Sequence, residues 1–203
     1  MKIHDKILFI GDSITDCGRF GDPEQLGFGY VRLIRDLCAV NHGSLELEFV
    51  NAGIGGHRVV DLRERWESDV IAQSPDIVSI SIGINDVWRQ IDQPEHGILI
   101  EEYEQTYRTL LSDLREHTRA DIVIMETSVI EEDMESLGNQ LLVPYNECIR
   151  QLADEYRATL VPINVACAEY SRLHGPKLTT DGVHLTSTGN ALFATTWLRS
   201  MHF

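Results

Sequence analysis

Apolar positions recur along this chain with two different periods. Nearly unbroken runs of β-branched and apolar residues occupy 6–10, 45–50, 76–82, 121–127 and 159–163. Runs of that length without alternation predict strands buried on both faces, as in a parallel sheet. Between them the spacing lengthens to that of a helix. Tyr30, Leu33, Ile34, Leu37 and Cys38 form one stripe, and Tyr103, Tyr107, Leu110, Leu111 and Leu114 form another. Segments 59–72, 139–156 and 187–200 also read as helices. Strand–helix alternation predicts an α/β fold, a three-layer α/β/α sandwich around a five-stranded parallel sheet with right-handed crossovers. There is no internal repeat or low-complexity tract, and 203 residues suit one core, so we expect a single domain over 1–203.

The expected strand order is 2-1-3-4-5, the flavodoxin-like arrangement. Such open sheets bind ligands beyond the carboxyl ends of their strands. The segments expected there are GDSITD after the first strand, NAGIGGHR after the second and GINDVW after the third. TTDGVHLT follows the fifth strand and a further helical stretch. The fourth strand runs into METSVIEED, which carries no comparable signature.

Ser13 reads either as a helix cap or as a nucleophile. A hydroxyl becomes nucleophilic when a base takes its proton, and Asp181-Gly182-Val183-His184 offers an imidazole with a carboxylate three positions away. Taken alone, that segment reads equally as a surface loop. Asn85 supplies a side-chain amide for an oxyanion or is a turn former. Gly53, Gly55 and Gly56 make a tight turn or admit a ligand to backbone N–H groups. In Gly53-Ile54-Gly55-Gly56-His57-Arg58, Arg58 stands where a dinucleotide fingerprint needs its third glycine. The P-loop and GxSxG patterns are absent. Trp88 follows GIND and suits stacking on a sugar face, or ordinary packing. Asp16 is placed to brace the Ser13 loop by hydrogen bonds or to lie exposed, and Arg58 and Arg89 to shape an entrance or to lie in solvent.

The balance of 17 basic against 32 acidic residues gives −15, a surface that repels nucleic acid and anionic membranes. No apolar run is long enough to span a bilayer, and the first residues, MKIHDKILFI, read as a strand rather than a signal peptide. The expected location is cytoplasmic. Cys17, Cys38, Cys148 and Cys167 form no CxxC pair and no grouping with histidine, so neither a metal site nor a bound cofactor is expected. Cys17 stands out for its closeness to Ser13.

Gly11-Asp12-Ser13, Gly56, Gly83-x-Asn85-Asp86 and Asp181-x-x-His184 together resemble the four sequence blocks of the SGNH (GDSL-type) hydrolases. The resemblance implies metal-independent serine ester hydrolysis. Ser13 is then the nucleophile, His184 the base and Asp181 its orienting partner. Ser13, Gly56 and Asn85 form the oxyanion hole. IGDSITDCGR, LGFGYV, NAGIGG, GINDVWRQ and DGVHLT are further similar to the cytoplasmic acetylxylan esterases of that family. This implies acetylated xylo-oligosaccharides or related sugars as substrates, Trp88 as a sugar contact, and assembly into homo-oligomers. Gly55 and His57-Arg58 depart from that group, which usually has serine at the first position and a pair ending in threonine at the second. The competing expectations are a lysophospholipase- or thioesterase-like hydrolase and a non-catalytic saccharide-binding protein.

Overall fold

The computed structural model describes residues 1–175 and 177–203. Strands β1 (Lys6–Gly11), β2 (Glu48–Gly53), β3 (Ile77–Ser81), β4 (Asp121–Met125) and β5 (Thr159–Val161) form one parallel sheet in the order β2-β1-β3-β4-β5. This is the expected order. β1 lies between β2 and β3, and Gly11 is in register with Gly53 on one side and Ser81 on the other. That register brings the ends of three strands level, so the loops after them share one rim.

The helices are α1 (Ser13–Asp16), α2 (Tyr30–His42), α3 (Val59–Asp69), α4 (Ile84–Asp92), α5 (Ile100–His117), α6 (Leu137–Glu155), α7 (Ile163–His174) and α8 (Ser187–Ser200). α2 and α7 both pack on α8, while α5 packs on both α3 and α6. Right-handed crossovers put these two groups on opposite faces of the sheet. Ile7, Leu8, Phe9 and Ile10 are consequently all buried, with no alternation along β1. The Phe9 ring lies 5.3 Å from Trp197 of α8, whose indole N–H donates to the Ser79 hydroxyl of β3 across 3.0 Å. That bond satisfies a polar pair inside the core, where an unmade bond would cost about 1–3 kcal/mol.

β2 differs from its expected position at 45–50. It starts at Glu48 and continues through Asn51, Ala52 and Gly53, which pair with Phe9, Ile10 and Gly11. Asn51 falls in the segment expected beyond this strand, but it lies inside β2 and its side chain serves the fold. Its Oδ1 accepts from the Gly53 N–H, and its Nδ2 donates to the carbonyls of Thr15 and Leu26 at 2.7 and 2.8 Å. A buried amide with these partners is no cost to a strand interior. β4 and β5 stop two residues earlier than the apolar runs suggest. Pro162 follows β5 directly, has no N–H for the ladder, and sits at the start of α7.

Candidate active site

β1 ends at Gly11, and the chain turns straight into the short helix α1. Asp12, not Ser13, caps it: the Asp12 Oδ1 accepts from the Ile14 N–H at 2.9 Å. This frees the Ser13 hydroxyl from a capping role. α1 lies so close to the end of β2 that a Cβ on Gly53 would fall 2.2 Å from the Asp16 backbone nitrogen. Only glycine admits that approach. Asp16 accepts from the Arg19 N–H at 3.3 Å, and the Arg19 Nε donates to the Gly53 carbonyl at 2.7 Å. The brace expected of Asp16 therefore runs through Arg19 to β2.

The Ser13 Oγ lies 3.0 Å from the His184 Nε2. On the other side of the ring, Nδ1 lies 2.7 Å from the Asp181 Oδ2. A carboxylate only accepts, so Nδ1 carries the proton and Nε2 is left to accept from Ser13. The Asp181 Oδ1 also accepts from the N–H groups of Val183 and His184, at 3.1 and 2.8 Å. Desolvation raises this carboxyl group, but the bonds from His184 and its backbone outweigh it and hold Asp181 at about 2.

The loop carrying these two residues is a small hairpin. Thr179 and Leu185 form an antiparallel bridge, and the Thr180 N–H donates to the His184 carbonyl at 2.8 Å. Gly182 at φ 96° makes the turn between them. Leu178 and Val183 are buried and anchor the loop to the core. The segment after β4, which carried no signature in the sequence, holds it from the side. The Glu131 N–H donates to the Gly182 carbonyl at 2.7 Å, and the Glu132 carboxylate accepts from the Thr179 N–H and hydroxyl at 2.5 and 2.9 Å.

Asn85 and Asp86 open α4 and are both buried. They tie down the loop after β2 at two points. The Asn85 Nδ2 donates to the His57 carbonyl at 3.0 Å, and the Asp86 Oδ1 accepts from the Val59 N–H at 3.0 Å. The held loop contains Gly55, where a Cβ would sit 3.8 Å from that of Ser13, and Gly56, at φ 80°, where a Cβ would meet nothing within 4 Å. The structure thus brings Ser13, Gly56, Asn85, Asp181 and His184 to the carboxyl rim of the sheet. Desolvation drives Asp86 up to about 8 against its bond to Val59, and Asp12 up to about 7 against its bond to Ile14. The Asp86 Oδ2 has no hydrogen-bond partner among the described residues.

Trp88 follows one helical turn along, half-buried, with its ring 6.3 Å from that of His184 and steeply inclined to it. The Arg89 guanidinium stands 5.2 Å from the same indole. Arg58 and Arg89 line a recess of about 310 Å³ with Gly55, Gly56 and His57. A concavity of about 560 Å³ between Ser74 and Arg119 lies at the opposite, amino-terminal edge of the sheet. Cys17 closes α1 in the left-handed region at φ 40°, and burial raises its thiol. Its N–H donates to the Ser13 carbonyl at 2.9 Å. Arg65 has no distinguishing signal in the sequence of α3, yet it donates to the carbonyls of Gly11 and Ala52, at 3.1 and 2.7 Å. Only the sheet order brings those two strand ends within reach of one guanidinium.

A hydroxyl bonded to an imidazole that is itself oriented by an ionised carboxylate is equipped for nucleophilic attack on a carbonyl. Among the described residues, no group of three or more His, Cys, Asp or Glu is placed to hold a metal ion, and no helix is long and apolar enough to cross a membrane. The chain is 39% identical over 208 residues to the acetylxylan esterase of Geobacillus stearothermophilus, covering 98% of this chain and 94% of that one. The crystal structure of Axe2, an acetylxylan esterase from the same organism, superposes with a TM-score of 0.92 at 39% identity, covering all of this chain and 97% of that one. LAE5, an α/β hydrolase enzyme from the metagenome of Lake Arreo in Spain, superposes at 0.93 with 30% identity, covering all of this chain and 97% of that one. The model of the GDSL-like lipase/acylhydrolase family matches residues 9–192, a span that takes in every one of the rim residues above, and the chain belongs to that family.

Proposed function

We propose that this protein is a serine esterase that removes short acyl groups, acetyl above all, from acetylated xylo-oligosaccharides or related sugars. The observation that carries the reading is the hydrogen-bonded series Ser13–His184–Asp181, with its order of proton positions fixed by the Asp181 carboxylate. The relatives named acetylxylan esterase support the substrate class.

His184 Nε2 takes the Ser13 proton as Oγ bonds to the ester carbonyl carbon, and the carbonyl π electrons move to oxygen. The oxyanion is held by the N–H groups of Ser13 and Gly56 and by the Asn85 amide. Collapse breaks the bond to the alcohol oxygen, which leaves with the proton from His184. The serine is then acylated. Water repeats the sequence, giving up its proton to His184, and acetate departs as Ser13 recovers its hydrogen. Asp181 remains ionised throughout and holds the imidazole in one tautomer. Trp88, at the rim beside His184, gives the sugar a face to stack on.

The polar walls of the recess next to Gly56 favour this reading over a lipolytic one, which would need an apolar trough for a long acyl chain. The test is acetate release from acetylated xylo-oligosaccharides beside p-nitrophenyl acetate and octanoate, with Ser13→Ala as control. Acetate release from the sugars, short-chain preference, and loss of at least about a thousandfold in the variant are expected. A folded Ser13→Ala protein of near wild-type rate refutes the assignment of the nucleophile. We extend the proposal to a cytoplasmic protein that self-associates, as the relatives' resemblance implies; cell fractionation and sedimentation test the two points.

A further inference from the structure

Resting on the esterase reading of this rim, we propose that the His57 side chain determines specificity by donating a hydrogen bond from Nε2 to the alcohol portion of the ester. His57 directly follows Gly56, and its ring is half-buried in the wall of the 310 Å³ recess. Its Nδ1 accepts from the Arg65 Nε at 3.2 Å. A guanidinium does not give up its protons, so Nδ1 is the bare nitrogen, and the neutral ring carries its hydrogen on Nε2.

Arg65 is itself held at three further points. Its Nη1 donates to the Ala52 carbonyl at 2.7 Å and to the Asp69 carboxylate at 2.8 Å, and its Nη2 donates to the Gly11 carbonyl at 3.1 Å. The tautomer of His57 is therefore set by the ends of β1 and β2. Burial, followed by the Arg65 charge, pushes the His57 ring below its usual range and keeps it neutral, against the pull of Asp61 and Glu64. No other side chain or carbonyl among the described residues hydrogen-bonds to Nε2 of this ring.

The other groups of the recess indicate a neutral, hydroxyl-rich ligand. The two guanidinium groups there are already matched. Asp61 takes the Nε and Nη2 of Arg58 at 2.9 and 3.0 Å, and the His96 carbonyl takes its Nη1 at 2.8 Å. Asp92 takes Arg89 at 2.5 Å. An anion at Arg58 would have to displace a carboxylate, and one at Arg89 would meet a charge already paired with Asp92. A sugar hydroxyl gains an uncharged donor at His57 and an acceptor edge at Asp61. An acetyl group has no hydroxyl to offer, so the recess suits the alcohol portion.

The test compares kcat/KM for an acetylated xylo-oligosaccharide with that for p-nitrophenyl acetate, in wild type, His57→Phe and His57→Gln. The ratio of sugar ester to nitrophenyl ester falls about five- to tenfold in His57→Phe, mainly through KM, as expected for one lost hydrogen bond. His57→Gln keeps an N–H donor and recovers part of the ratio. A two-bond proton–nitrogen spectrum of the wild type shows Nε2 protonated and Nδ1 bare. A ratio within twofold of wild type in His57→Phe, or a doubly protonated ring at neutral pH, overturns the proposal and leaves the esterase reading standing. Wild-type protein that turns over the nitrophenyl ester but no sugar ester overturns the saccharide reading and this inference with it.

Discussion

The Glu131 N–H donates to the Gly182 carbonyl across 2.7 Å, joining the loop after β4 to the loop that presents Asp181 and His184. Glu132, the next residue, reinforces the junction by accepting both the N–H and the hydroxyl of Thr179. The imidazole is thus positioned in part from the segment that follows β4.

Glu132→Ala is expected to lower kcat on p-nitrophenyl acetate about tenfold, because small displacements of a catalytic group are costly. KM should change little, since Glu132 faces the hairpin and not the recess. Glu132→Gln keeps an acceptor oxygen and should retain more of the rate. Equal kcat in Glu132→Ala and wild type would show that Leu178 and Val183 hold the hairpin unaided.

Asp181→Asn is expected to reduce kcat by about ten-thousandfold while leaving the fold intact, since an amide can donate to Nδ1 and select the wrong tautomer. Labelling of Ser13 by a fluorophosphonate, timed against wild type, reads the same loss independently of substrate. Asp181 stays ionised down to about 2.

Asp86 and Asp12 give the fold an alkaline weakness. Both carboxyl groups sit above their ordinary value of 3.8, Asp86 at about 8 and Asp12 at about 7, because burial disfavours the charged form. The native state then holds protons that the unfolded chain releases. Their contribution to stability is full below about 3.8 and is lost as pH rises through 7 and 8. Thermal melts from pH 5 to 9 should show Tm falling over that window. Asp86→Asn still accepts the Val59 N–H and cannot ionise, so its Tm should fall less steeply. A wild-type Tm flat over this range would contradict the assignment.

Arg150 supplies the charge partner of a carboxylate buried at the end of β4. Its Nε donates to the Glu126 Oε1 at 2.6 Å, and Glu126 is fully buried while Arg150 remains partly exposed. Arg150→Ala is expected to destabilise the protein by about 1–3 kcal/mol, the cost of a buried carboxyl oxygen left without its hydrogen-bond partner. Urea unfolding measures it, with an unchanged m-value as the mark of an intact native state. Activity should be retained, because this pair touches none of the rim residues.

Much of this molecule is legible without coordinates. The unbroken apolar runs fixed the parallel sheet, since a strand covered on both faces has no polar side to show. The stripes through Tyr30 and Tyr103 fixed helices for the same reason of burial, on a longer period. GDS, GIND and DGVH pointed to the proposed chemistry, because Ser13, Asn85, Asp181 and His184 are residue types that would act through their own side-chain atoms. Gly56 belongs with them only through its neighbours, as a glycine has no side chain to identify its task.

What tertiary structure alone decided is which backbone groups meet. The extent of β2 depended on its ladder with β1, and Asn51 could enter a strand only because Thr15 and Leu26 lie where its amide points. Arg65 looks like any helix arginine until the sheet order sets Gly11 and Ala52 side by side beneath it. The loop after β4 has no motif because it acts through a backbone N–H and a carboxylate whose partners are some fifty positions on, at Gly182 and Thr179. Local pattern records what a residue is and which way it faces. Hydrogen bonds between distant segments follow from the packing of the whole chain, and no stretch of the sequence carries that information by itself.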